Sequence, residues 1–167
     1  MPGEGKEHKR IRKRVEREVE RYLASEGKVA SHRVRAGHEK GAGTIGLYLG
    51  HPSRMTRMSD ADMVIVNDKN EAACIIEVKD KDVMPKNLFG IVGATSVCNT
   101  IYHEAHGNIP LAEAALYIVV SANCVRKPQS TKKKQLELIE KQLADGVGSV
   151  SRVAICVEDE FAKRFRL

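Results

Sequence analysis

Residues 60–79, DADMVIVNDKNEAACIIEVK, set two apolar runs on either side of a polar NDKNE segment. The runs 63–66 and 73–79 are too short for typical helices and rich in β-branched residues. Each reads as a strand, and NDKNE reads as a hairpin connection. A period of two puts Asp62, Val64 and Val66 on one face of the first strand and Ile75, Glu77 and Lys79 on one face of the second. In an antiparallel pair the start of one strand lies beside the end of the next. With a turn near Lys69, Asp62 then stands beside Glu77 and Lys79. Three charged groups converge at one end of an otherwise apolar hairpin, and burying charge is costly unless it is paired or bound to a metal. The plain alternative is an exposed hairpin end with a solvated salt bridge, worth little to stability.

The rest of the chain supplies layers for this hairpin. Residues 6–26 read as a helix with Ile11, Val15, Val19, Tyr22 and Leu23 in one stripe, stopped by Gly27. Residues 28–36 read as a strand with Arg33 and Arg35 on one face. The HEKGAG loop carries Lys40, residues 45–49 form a short strand, and 50–59 are a basic turn region. Residues 86–106 read as a helix after Pro85, with Leu88, Ile91, Thr95, Cys98 and Tyr102 in its stripe. His103 and His106 then mark a surface helix terminus. Residues 114–121, AALYIVVS, suit a strand covered on both faces. A helix over 131–145, a strand over 150–157 and a short helix over 159–165 complete the chain.

The expected fold is α/β: a single domain over 1–167, with a mixed central β-sheet flanked by helices. Its core is α-β-β-β-α-β, followed by an extra C-terminal helix and strand.

Charge is distributed unevenly. Residues 1–59 hold 14 Lys/Arg and 7 Asp/Glu, a balance of +7, whereas 60–167 hold 14 and 15, a balance of −1. A basic half suits a polyanion such as nucleic acid, and equally a solvated basic helix face. Arg33, Arg35, Lys40, Arg54 and Arg57 are the candidate DNA-binding residues, the last two because they lie just before Asp62. Lys132, Lys133 and Lys134 open a helix and fit a solvated patch better than a phosphate contact. With no Trp and few aromatics, the composition disfavours an aromatic base-stacking platform.

Two carboxylates and an ammonium at close quarters suit a hard cation. Mg²⁺ takes oxygen ligands, keeps several waters and is usually held by one or two carboxylates plus substrate phosphate. Such an ion acidifies a bound water and polarises a phosphoryl oxygen, and a lysine beside it stabilises developing charge. This is the equipment for phosphodiester hydrolysis, with Asp62 and Glu77 as metal ligands and Lys79 as the lysine.

Asp62 followed by Met-Val-Ile-Val, and then Glu77-Val78-Lys79, resembles the PD-(D/E)XK nuclease superfamily. The inferred α-β-β-β-α-β order resembles its restriction endonuclease-like core. The family's usual Pro before the Asp is Ala61 here, and Asp60 competes for the Asp position. VEREVERYLASEG in the first helix is similar to that of archaeal Holliday junction resolvases; the likeness fades after residue 36. The resemblance implies that the Val78 carbonyl is a third metal contact, that Lys79 is catalytic, and that Glu16, on the flank of the helix stripe, joins the metal site. An i, i+4 role on a charged helix is the other reading of Glu16. The resemblance further implies DNA as substrate and a homodimer that cuts two strands.

The leading expectation is therefore a Mg²⁺-dependent DNA endonuclease, in which Mn²⁺ can substitute, of restriction or junction-resolving type. The rivals are a non-catalytic nucleic-acid-binding domain and a structural subunit on the same fold. The start, MPGEGKEHKR, has no apolar h-region, and no apolar run approaches the roughly 20 residues of a membrane span. Cys74, Cys98, Cys124 and Cys156 are widely spaced and read as reduced thiols. Together these features lead to the expectation of a cytoplasmic protein without a membrane partner.

Overall fold

Helix α1 spans Lys6–Ser25. Its stripe of Ile11, Val15, Val19 and Leu23 is buried against the central sheet. Gly27, at φ +64°, ends it, with Lys28 N–H donating to Leu23 O at 2.8 Å. This is the Schellman bond between the residue beyond the helix end and its last turn. The computed structural model describes residues 5–37, 45–126 and 131–167. The expected loop carrying Lys40 lies outside them.

The central sheet has five strands. They are β1 (His32–Ala36), β4 (Met63–Asn67), β5 (Ala72–Lys79), β8 (Ala114–Val120) and β9 (Val150–Val157), side by side in that order. β1 pairs with β4 and β4 with β5 antiparallel; β5 pairs with β8 and β8 with β9 parallel. Helix α2 (Pro85–Ser96) lies in the crossover from β5 to β8, and α3 (Thr131–Leu143) in that from β8 to β9. A short α4 (Phe161–Arg164) closes the chain. The sheet is therefore mixed and flanked by helices, as expected.

The period of two divides its two faces. Met63, Ile65, Cys74, Ile76 and Val78 join α1, Phe161 and Phe165 in one core. Val64, Val66 and Ile75 join Leu88 and Val92 of α2 and Leu136 and Ile139 of α3 in the other. All of β8 is buried, as a strand covered on both faces must be.

A second, antiparallel sheet overturns three expectations. It consists of β3 (Arg57–Ala61), β2 (Ile45–Tyr48), β6 (Thr100–His103) and β7 (Gly107–Pro110), in that order. The basic turn region 50–59 ends inside an edge strand, and the expected helix over 86–106 stops at Ser96. The reason is tertiary. Asn99 N–H donates to Tyr48 O and Leu111 N–H to Asn99 O, so β2 captures this segment as sheet. Ile101 and His103 are buried while Tyr102 is exposed, a period of two within what looked like a helical stripe. His103 is thus no helix terminus: its Nε2 hydrogen-bonds Ala36 O at 2.7 Å. At the front of the chain, β1 starts at His32 rather than 28, because Lys28–Ser31 form turns.

Candidate active site

Asp62 occupies the residue at which the chain leaves β3 in the second sheet and enters β4 in the central one. Its N–H donates to Ile76 O and its carbonyl accepts from Gly37 N–H, so it is held between β1 and β5. Its side chain is directed at β5: Val78 N–H donates to Asp62 Oδ2 at 2.7 Å. The register, Met63 opposite Ile76, brings Asp62 beside Glu77. Asp62 and Glu77 are therefore neighbours, as the hairpin's register requires.

Glu77 and Lys79 close β5, both half-buried. Burial holds the Glu77 carboxyl well above the usual carboxylate range; the nearby Asp62 charge adds to this, Lys79 opposes it, and Asp60 adds a little more. Among the described residues, no side chain or backbone N–H gives the Glu77 carboxyl a hydrogen bond. Two crowded carboxylates, one without a donor, are the electrostatic condition that a cation relieves. Among the described residues, no group of three or more His, Cys, Asp or Glu side chains could enclose a metal ion. Two carboxylates and a backbone carbonyl suit Mg²⁺, which keeps much of its water, rather than a metal that needs a full side-chain cage. In a strand a residue's N–H and C=O point the same way, so the Val78 carbonyl faces the Asp62 side.

Helix α1 reaches this place through His8. His8 Nε2 hydrogen-bonds Asp62 Oδ1 at 2.7 Å, and its Nδ1 lies 3.8 Å from Asp80 Oδ1. Glu16 lies about 12 Å beyond His8 along the α1 axis at 1.5 Å per residue, and its carboxylate stands 4.0 Å from Arg12 Nη1. Sequence reasoning missed His8, which carries no periodic signal in the polar first turn. Asp80 is half-buried beside it.

The first turns of α1 are tied to the C-terminal ends of the parallel strands. Glu7 accepts hydrogen bonds from Ser121 Oγ and Asn123 Nδ2, both at 2.9 Å. Glu158, buried just after β9, receives Arg10, Arg14 and the Ala122 N–H at 2.8–3.0 Å. Burial alone would raise the Glu158 carboxyl, but these donors together bring it below its ordinary value.

The basic candidates take different places. Arg33 and Arg35 pair with Val66 and Val64 across β1–β4, so they share the face of Asp62 and Glu77. Arg35 Nε is buried without a hydrogen-bond partner among the described residues, the state of a donor waiting for an anion. Arg54 is exposed. Arg57 pairs with Asp60 and lies 5.9 Å over the Tyr48 ring. Of the three lysines opening α3, Lys132 donates to Val83 O and Lys133 pairs with Glu160 at 2.9 Å, as a structural patch would.

No family model, curated protein or solved structure matches the chain. No helix among the described residues is long and apolar enough to cross a membrane.

Proposed function

We propose that the protein is a metal-dependent DNA endonuclease hydrolysing phosphodiester bonds. The observation that carries this reading is Glu77 beside Asp62, raised in pKa and without a hydrogen-bond donor, with Lys79 on the same strand face. The order α1, antiparallel β1-β4-β5, α2 and parallel β8 supports a restriction endonuclease-like core with the second sheet inserted.

Asp62, Glu77 and the Val78 carbonyl would hold Mg²⁺, or Mn²⁺ in its place. Bound there, the ion supplies positive charge to the scissile phosphate and acidifies water. Lys79 donates to the attacking water or to the phosphate oxygen on which charge develops. The Val78 N–H fixes the Asp62 carboxylate, and His8 fixes its other oxygen. Arg33 and Arg35 hold neighbouring phosphates, with Lys40 and Arg54 adding charge. Pairing of two copies would let two such sites cut both strands.

A non-catalytic nucleic-acid-binding domain is the second reading. It is favoured by one observation: both Asp62 oxygens already have partners inside the chain. The test is incubation of supercoiled plasmid and a four-way junction with Mg²⁺ and wild type, Lys79→Ala or Asp62→Ala protein. Cutting by wild type alone supports the enzyme; equal behaviour of all three rejects it. Selective junction cleavage assigns a resolvase, and discrete fragments from linear DNA a restriction-type enzyme.

A further inference from the structure

The outer face of the second sheet carries aromatic rings that the central site does not use. Gly46 pairs with Tyr102 across β2–β6, and Tyr102 with Asn108 across β6–β7. These residues and Tyr48, two positions from Gly46, therefore share one face. The opposite face holds Leu47, Ile101 and Ile109 and is part of the core. Two of the chain's four tyrosines thus lie on the face of the sheet that points away from the core, where composition alone argued against an aromatic platform.

The rings have distinct settings. Tyr48 is 7% exposed and lies across Gly46, where a Cβ would sit 2.5 Å from the ring. Only glycine leaves the sheet surface low enough for that placement. Tyr102 is 39% exposed. An open cavity of about 390 Å³ lies beside both, lined also by His51, Ser53, Arg54 and Asn108. That volume falls within the roughly 300–1,000 Å³ of sites that take small organic rings. Arg54 has no hydrogen bond or ion pair to another described residue.

We propose that this face binds an unpaired nucleobase of the substrate strand, stacked against Tyr102 in the cavity that Tyr48 also lines, with Arg54 on the adjoining phosphate. A stacking ring, an amide able to pair with a base edge and a free cation are the groups such a site needs. The excess positive charge of residues 1–59, which include Arg54, complements the strand. The site is joined to the candidate active site through β3, whose Asp60 lies opposite Gly46 and two residues before Asp62. The inference rests on the nucleic-acid reading above, and it names the substrate as DNA with an unpaired nucleotide near the cut.

The test is binding without divalent cation, so that catalysis plays no part. Fluorescence anisotropy with a single-stranded oligonucleotide should show affinity falling about tenfold for Tyr102→Ala and for Arg54→Ala, and unchanged for Tyr102→Phe. Fully paired duplex should bind Tyr102→Ala within about twofold of wild type. Photocrosslinking an iodouracil oligonucleotide should mark Tyr102. Single-strand affinity unaltered in Tyr102→Ala, or single strand and duplex weakened alike, overturns the base site. A chain that cuts duplex in Mg²⁺ while Tyr102→Ala binds as wild type rejects this site alone. One that binds single strands through Tyr102 but never cuts rejects the enzyme alone and supports this site.

Discussion

The Asp62 carboxylate joins the two ends of the hairpin: its Oδ2 accepts the Val78 N–H at 2.7 Å, from the residue between Glu77 and Lys79. One side chain thus completes the β4–β5 ladder and faces the proposed chemistry. Asp62→Asn keeps an acceptor for Val78 and should melt close to wild type while losing cleavage by at least about a hundredfold. Asp62→Ala leaves the Val78 N–H without that acceptor and should cost about 1–3 kcal/mol as well. Urea unfolding beside plasmid cleavage separates the two effects.

Glu77 gives a pH signature of opposite sign to an ordinary carboxylate. Its folded pKa lies above its unfolded one. Below the unfolded value both states are neutral; the cost of burying Glu77 builds as pH rises above the unfolded pKa and is complete once pH has passed the folded one. Glu77→Gln should therefore raise Tm by a few degrees at pH 8, a gain that vanishes near pH 4. Mg²⁺ should raise the Tm of wild type and leave Glu77→Gln unmoved. A variant that melts below wild type at pH 8 would contradict the assignment.

Glu158 behaves in the usual sense. Its pKa is lowered in the fold, so its stabilisation is present above the unfolded carboxylate value and disappears as pH falls through the folded one. Removing one partner of a buried pair can cost 3–5 kcal/mol. Here Arg10 and Arg14 reach water, with side chains 49% and 36% exposed. The cost of Glu158→Ala should instead be about 1–3 kcal/mol, mainly from the stranded Ala122 N–H. Denaturant unfolding at pH 7 and at pH 3 should show the difference from wild type shrinking with acid.

His8 acts on the site through Asp62. Loss of a group that orients a metal ligand typically costs 10–100-fold in affinity or activity. His8→Ala should shift the Mg²⁺ midpoint for cleavage upward by about tenfold with little change in Tm. An unchanged midpoint would make His8 a structural contact only.

Arg35 places its charge on the face of the acidic pair, with Nε unpartnered among the described residues. Arg35→Ala should weaken DNA binding irrespective of sequence and reduce the slope of log affinity against log salt by about one. Titrations across a salt series measure this directly.

What was legible in the sequence was whatever repeats locally. The stripe of α1, the wholly apolar β8 and the two faces of the hairpin follow from periods of 3.6 and 2, and the hairpin's register alone brought Asp62 to Glu77. The second sheet was not legible. Thr100–His103 could also satisfy a helical stripe, and β3 is largely exposed and polar; both are strands because β2 offers them backbone partners about fifty and ten residues away in sequence. The same holds for the site's rim: His8 and Asp62 are 54 positions apart, and no periodicity links them. Sequence by itself determined which residues could be buried and which charges had to meet at the hairpin's end. Only the tertiary structure decided which backbone captured which, because a hydrogen-bonding strand edge acts on whatever the fold brings beside it, whatever that segment's local preference.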